Sequence, residues 1–101
     1  MKNMNQLMKQ AKKMQDEILK AQEALGQQTI EGTAGGGAVK IVMDGHKTVK
    51  EVQLDKDVVT PDDVEMLQDL ILAALQDATQ KVDELTESQL GKYTRNMPGL
   101  F

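Results

Sequence analysis

Apolar or small residues stand at Met4, Leu7, Ala11, Met14, Ile18, Ala21 and Leu25, and the gaps between them alternate three and four without a break. That spacing lines one face of a helix and forms the seam of a helix lying along another helix. It predicts a first helix over residues 3–25, and at about 1.5 Å per residue such a helix spans roughly 33 Å. Gly26 follows as a stop signal. The lysines fall off the seam: Lys2, Lys9, Lys12, Lys13 and Lys20 occupy the outer positions. The helix therefore carries an apolar stripe and a separate basic stripe.

A second helix is predicted to open at Thr60 as N-cap, with Pro61 at the first helical position and Asp62 and Asp63 in the positive first turn. It should run to Leu90, with Gly91 able to take the left-handed terminating conformation. Val64, Leu67, Leu70, Ile71, Ala74, Leu75, Ala78, Val82 and Leu85 form a stripe wider than a simple seam. A stripe that wide should cover a sheet or a partner as well as the first helix. Between the helices the apolar period changes to two, at Val39, Ile41 and Met43 and again at Val52 and Leu54, across a turn at "DGHK". Asp-Gly signals a hairpin whose two central residues need positive φ. Thr29 to Thr33 reads as a further edge strand. The expected fold class is α+β: long helix, three-stranded antiparallel β-meander, long helix.

Five of the eight glycines fall in "EGTAGGGAVKIVMDG", Glu31 to Gly45, which invites comparison with a phosphate-binding loop. Gly32 and Gly37 have the Walker spacing, but Ala38 and Val39 stand where Lys and Ser/Thr are needed. Lys40 occupies the third-glycine position of a dinucleotide fingerprint. Both motifs also need a helix directly after the loop, and here a strand pattern follows. The segment reads as a hairpin connection.

Catalytic and metal constellations fare no better. The chain has no cysteine and a single histidine, His46, so neither a thiolate zinc site nor a cysteine nucleophile is available. His46 reads as an exposed turn residue. "DKDVVT" from Asp55 starts like a calcium loop, but Thr60 replaces the required glycine and Met66 the bidentate Glu. Ser88 and Tyr93 have no neighbouring base. The sequence predicts a protein that is not an enzyme and has no catalytic residue, cofactor, metal or small-molecule substrate. Lys2, Lys9, Lys12 and Lys13 interrupt any signal-peptide run, and the longest apolar run, "LILAAL" at 70–75, is too short for a bilayer. A cytoplasmic protein with no membrane partner is expected.

The net charge of -4 conceals an asymmetry. Residues 1–25 hold five lysines against Asp16, Glu17 and Glu23, whereas residues 61–91 hold Lys81 against eight carboxylates. A patch, not the total, steers a charged partner. The two aromatic residues, Tyr93 and Phe101, both lie in the last ten. Base stacking is then unavailable to the body, and contact with nucleic acid would fall on the phosphates, favouring duplex with weak sequence selectivity and strong salt dependence. A core without aromatics also gains from being shared with a second copy. Residues 1–91 read as a single α-β-β-β-α domain and 92–101, with Lys92 and Arg95, as a flexible C-terminal tail. A protein-interaction adaptor using the heptad helices and the methionines, with incidental DNA binding, is the alternative.

"LMKQAKKMQ", "EGTAGGGAVKIVMDG", "EVQLD", "MLQDLILAALQDA" and the terminal "PGL" resemble the YbaB/EbfC nucleoid-associated proteins over nearly the whole chain. The resemblance implies a tweezer-shaped homodimer with paired sheets in the middle and the long helices as arms. It also implies bacterial, cytoplasmic binding of double-stranded DNA and a role in nucleoid organisation or gene expression. Carried over by position, the DNA-binding residues are Lys9, Lys12, Lys13 and Lys20 on the first helix and Lys81 on the second. Gln80 stands where relatives often have a second basic residue, so the first helix should carry most of the contact.

Overall fold

The computed structural model describes residues 3–96, with side chains as far as Tyr93. The order is α1 (Asn3–Gly26), β1 (Thr29–Ala34), β2 (Val39–Asp44), β3 (Val49–Leu54), a single 3₁₀ turn (Lys56–Val58) and α2 (Val64–Asn96). The three strands form one antiparallel sheet in the order β1-β2-β3. The α+β architecture is the one expected. Lys2 and residues 97–101, with the "PGL" ending, lie outside the described residues, as does the Arg95 side chain.

The period-two residues Val39, Ile41 and Met43 of β2 turn one face to α2, where they meet Ala74, Ala78 and Val82 in a buried cluster. Alanines on the helix face let α2 come close to the sheet, and the glycine of β1 lets it come closer. A Cβ at Gly32 would overlap the Ala74 carbonyl oxygen and the Ala78 nitrogen. β1 thus lies backbone against backbone on α2, an approach open only to glycine. Gly35, Gly36 and Gly37 have φ of 64°, 68° and 95°. They make the β1–β2 turn through the left-handed region, as a hairpin connection requires.

A second cluster joins the helices. Ile18 and Leu25 of α1 pack on Leu90 and Tyr93 of α2, with Met14, Ala21 and Leu85 around them. Gly91, expected to end α2, lies inside the helix, which continues to Asn96. Tyr93, expected to fall outside the core, is 7% exposed and anchors this cluster. Burying one aromatic side chain is worth more than the helix penalty of one glycine.

The start of α2 also differs from the expectation. Asp63, not Thr60, is the cap: its Oδ1 accepts the Met66 N–H at 3.1 Å, and Thr60 to Asp63 form a separate turn. In "DGHK" the Asp44 carbonyl accepts the Lys47 N–H at 2.9 Å. The left-handed residue there is Lys47, with φ of 66°, and Gly45 is not left-handed. A left-handed residue after the turn, with a register shift between Val42 and Met43, is the bulged hairpin and not the two-residue one.

The radius of gyration is 19.6 Å and the extents are 74 × 21 × 16 Å, whereas a compact chain of this length has a radius of about 13 Å. Gly32→Ala is expected to destabilise the fold by about 2–3 kcal/mol through overpacking against α2 backbone. Gly36→Ala, with open space around it, should cost only about 1 kcal/mol for its left-handed φ. Urea unfolding of both variants checks the order.

Candidate nucleic-acid interface

The lysine face is built by α1 and by how little of α1 is covered. Every described residue from Asn3 to Lys13 is exposed, because α2 packs only on the C-terminal half of the helix. At about 100° per residue, Lys9, Lys13 and Lys20 fall within an arc of roughly 40°, opposite the apolar seam, and Lys12 stands about 60° to one side of it. Along the axis, Lys9 to Lys20 covers about 16 Å. Asp16 lies between that arc and Lys12, about 20° from the arc, and an open groove runs along the helix between Lys9, Lys12, Lys13, Asp16, Glu17 and Lys20.

These lysines have no partner, and among the described residues only Lys56, alone in the 3₁₀ turn, is like them. Lys40 pairs with Glu31 at 3.8 Å, Lys47 with Asp83 at 2.7 Å, Lys50 with Asp44 at 3.6 Å and Lys81 with Asp77 at 3.2 Å. Lys92 stands over the Tyr93 ring at 5.0 Å from its centroid. Among the described residues, Lys9, Lys12, Lys13 and Lys20 make no ion pair. A cation already beside a carboxylate has part of its charge cancelled and must give up that partner to bind a phosphate. The α1 lysines face neither cost.

Lys81 is not brought together with the α1 lysines. It stands beside β1, where its Nζ donates to the Glu31 carbonyl at 3.2 Å as well as pairing with Asp77. Asp77 in turn accepts the Thr33 N–H at 3.0 Å. That N–H first, and Lys81 second, hold the Asp77 carboxyl below the usual carboxylate range against a smaller opposing effect of burial. Lys81 and Asp77 together stitch α2 to β1.

The acidic charge of α2 is partly spent within the fold: Asp63 caps, Asp77 binds β1 and Asp83 pairs with Lys47. Glu65, Asp69, Glu84 and Glu87 are exposed, so the outer face of α2 repels a polyanion. No described helix is long and apolar enough to cross a membrane.

His46 is an exposed turn residue, as expected, but sequence reasoning missed its contact: its Nε2 lies 2.8 Å from the Gln22 carbonyl oxygen of α1. Nothing in the local pattern of "DGHK" signals that contact.

A helix-sheet-helix chain with one unneutralised lysine face is a module for binding an anionic partner, and comparison with known proteins names the class. A model of the YbaB/EbfC DNA-binding family matches residues 1–97. A nucleoid-associated protein of Bacillus thuringiensis is 55% identical over 98% of this chain and 93% of its own length, and one from Bacillus cereus is equally similar. An uncharacterized protein from Helicobacter pylori shares the fold, with a TM-score of 0.75 at 24% identity over 94% of this chain and 96% of that one. The chain belongs to the YbaB/EbfC DNA-binding family.

Proposed function

We propose that this protein is a bacterial nucleoid-associated protein that works as a homodimer in the cytoplasm and binds double-stranded DNA with little sequence preference. Lys9, Lys12, Lys13 and Lys20 of each α1 are the contacts, and the chain catalyses nothing. The observation that carries this reading is the contrast between four unpaired lysines gathered on one helix and the partnered lysines of the sheet and α2. An axial span of about 16 Å faces some five phosphates of one strand, which recur about every 3.4 Å. Lysines on a helix face, with no aromatic side chain beside them, bind the backbone and do not read base edges. Lys81 is assigned to the fold and not to DNA.

The dimer reading rests on β3. Leu54, Val52 and Val49 stand opposite Val39, Ile41 and Met43, and directly opposed residues share a face of the sheet. They therefore face the α2 side. Yet they are 42%, 50% and 44% exposed, because α2 lies over β1 and β2. The accessible surface of 7347 Å² exceeds the roughly 5,600 Å² of a compact monomer of this mass. A stable dimer buries about 800 Å² from each partner. A second copy covering the β3 face supplies that burial and sets two α1 arms on one particle. The exposed Met4, Leu7 and Met8 favour, as a second reading, an adaptor that captures a protein on α1.

Fluorescence anisotropy with duplex DNA across a salt series separates the two. The expected slope of log affinity against log salt is steeper than about -3. Lys9→Glu/Lys13→Glu should lose at least tenfold in affinity, roughly 1.4 kcal/mol, while Lys81→Ala keeps wild-type affinity and melts a few degrees lower. A flat salt response, or a double variant that binds like wild type, contradicts the DNA reading and leaves the adaptor. Light scattering tests the dimer: Val52→Glu should give a monomer where wild type gives a dimer.

A further inference from the structure

The turn between β2 and β3 is tied to α1 more tightly than a connecting turn needs to be. The Gln22 carbonyl can only accept, so His46 Nε2 donates to it across 2.8 Å. Gly26 leaves room for the ring, since a Cβ there would overlap Cε1, Nδ1 and Nε2 of His46. Beside it the Gly45 backbone lies against Leu25, whose carbonyl a Cβ at Gly45 would overlap, and the Gly45 N–H donates to the Gln28 carbonyl at 3.1 Å. The turn is stiffened from beneath. Buried Asp44 accepts the His46 N–H at 2.8 Å and the Thr48 N–H at 3.0 Å through Oδ1, while Lys50 reaches its Oδ2 at 3.6 Å. Asp44 fixes the turn, the turn fixes the ring, and the ring holds the last turn of α1.

The placement of this contact gives it a consequence for the lysines. The other attachment of α1 is the seam of Met14, Ile18, Ala21 and Leu25 against Leu85, Leu90 and Tyr93. A helix held along one line can roll and swing about that line. Gln22 and Gly26 lie roughly a quarter-turn around the helix from the seam, so the His46 contact is a second, non-collinear line that removes this freedom. The lysine face lies about 10–12 Å across the helix from the seam line. A roll of about 20° about that line carries Lys9 by about 4 Å, more than the ~3.4 Å axial spacing of phosphates on one strand. The roll of α1 sets the direction in which its lysines point.

We infer that His46 is a positioning residue for DNA binding, whose ring and Nε2–H fix the direction of α1 and thereby align its lysines with successive phosphates. The inference rests on the DNA reading above. Four variants test it in the full chain: His46→Ala, His46→Gln, Gly26→Ala and Gly26→Ala/His46→Ala. The sequence contains no cysteine, so spin labels at Gln10→Cys on α1 and Gln80→Cys on α2, diluted into unlabelled protein, report the arm within one chain. His46→Ala and Gly26→Ala should each broaden the distance distribution and weaken duplex binding by about fivefold, the scale of one lost hydrogen-bonded contact. His46→Gln, whose amide can still donate, should restore both.

The double variant separates positioning from bulk stability. A helical glycine replaced by alanine is stabilising where there is room. Gly26→Ala should therefore raise the melting temperature by roughly 2–4 °C when the His46 ring is absent, and give no such gain when it is present. A narrow, wild-type distance distribution with wild-type affinity in His46→Ala overturns the positioning role, as does an equal effect of Gly26→Ala with and without the ring. Unchanged binding by Lys9→Glu/Lys13→Glu is a separate failure, that of the DNA reading itself.

Discussion

Everything in this fold is arranged around the contact of β1 with α2 at Gly32. With the helix backbone that close to the strand, Ala74, Ala78 and Val82 reach Val39, Ile41 and Met43 and complete the main buried cluster. A helix packed directly on two strands leaves the third uncovered on the same side, so β3 keeps its valines and leucine in water. It also leaves half of a long α2 projecting beyond the sheet, where Leu90 and Tyr93 give α1 its seat. The elongated shape and both exposed surfaces, the apolar one on β3 and the basic one on α1, follow from that single approach.

Charge is sorted by the same geometry. Between elements, lysines meet carboxylates, Lys47 with Asp83 and Lys50 with Asp44, and within α2 Lys81 meets Asp77 where the helix lies on β1. The outer face of α1 crosses nothing, and its lysines stay unneutralised. An acidic protein can thus bind an acidic polymer, because the net charge of -4 is distributed over α2 and the body while the arm presents the opposite sign.

Much of this was legible in the sequence, for local reasons. The unbroken heptad predicted α1 to within a residue, since a seam of seven positions admits one helical phase, and the period-two residues located β2 and β3. The glycine segment separated into a left-handed turn at Gly35 to Gly37 and a close contact at Gly32, and the second of these depends on a helix forty residues away. Gly91 suggested a helix end because local propensity cannot register Tyr93 finding Ile18 and Leu25. Thr60 suggested a cap because Asp63, three residues later, carries an equally good acceptor. The contacts of His46 with α1 and of Lys81 with β1 are settled across elements, where spacing along the chain gives no signal.

The central claim is that DNA meets this protein on the unpaired lysines of α1 and not on the lysines of its body. It is tested most directly by titrating a short duplex into isotopically labelled protein and following the lysine side-chain and backbone resonances together. The predicted result is that Lys9, Lys12, Lys13 and Lys20, with the α1 amides around them, shift in a salt-dependent manner while Lys81, Lys47 and the β1 amides hold still. Shifts centred on α2 or on the sheet, with α1 unmoved, would contradict it.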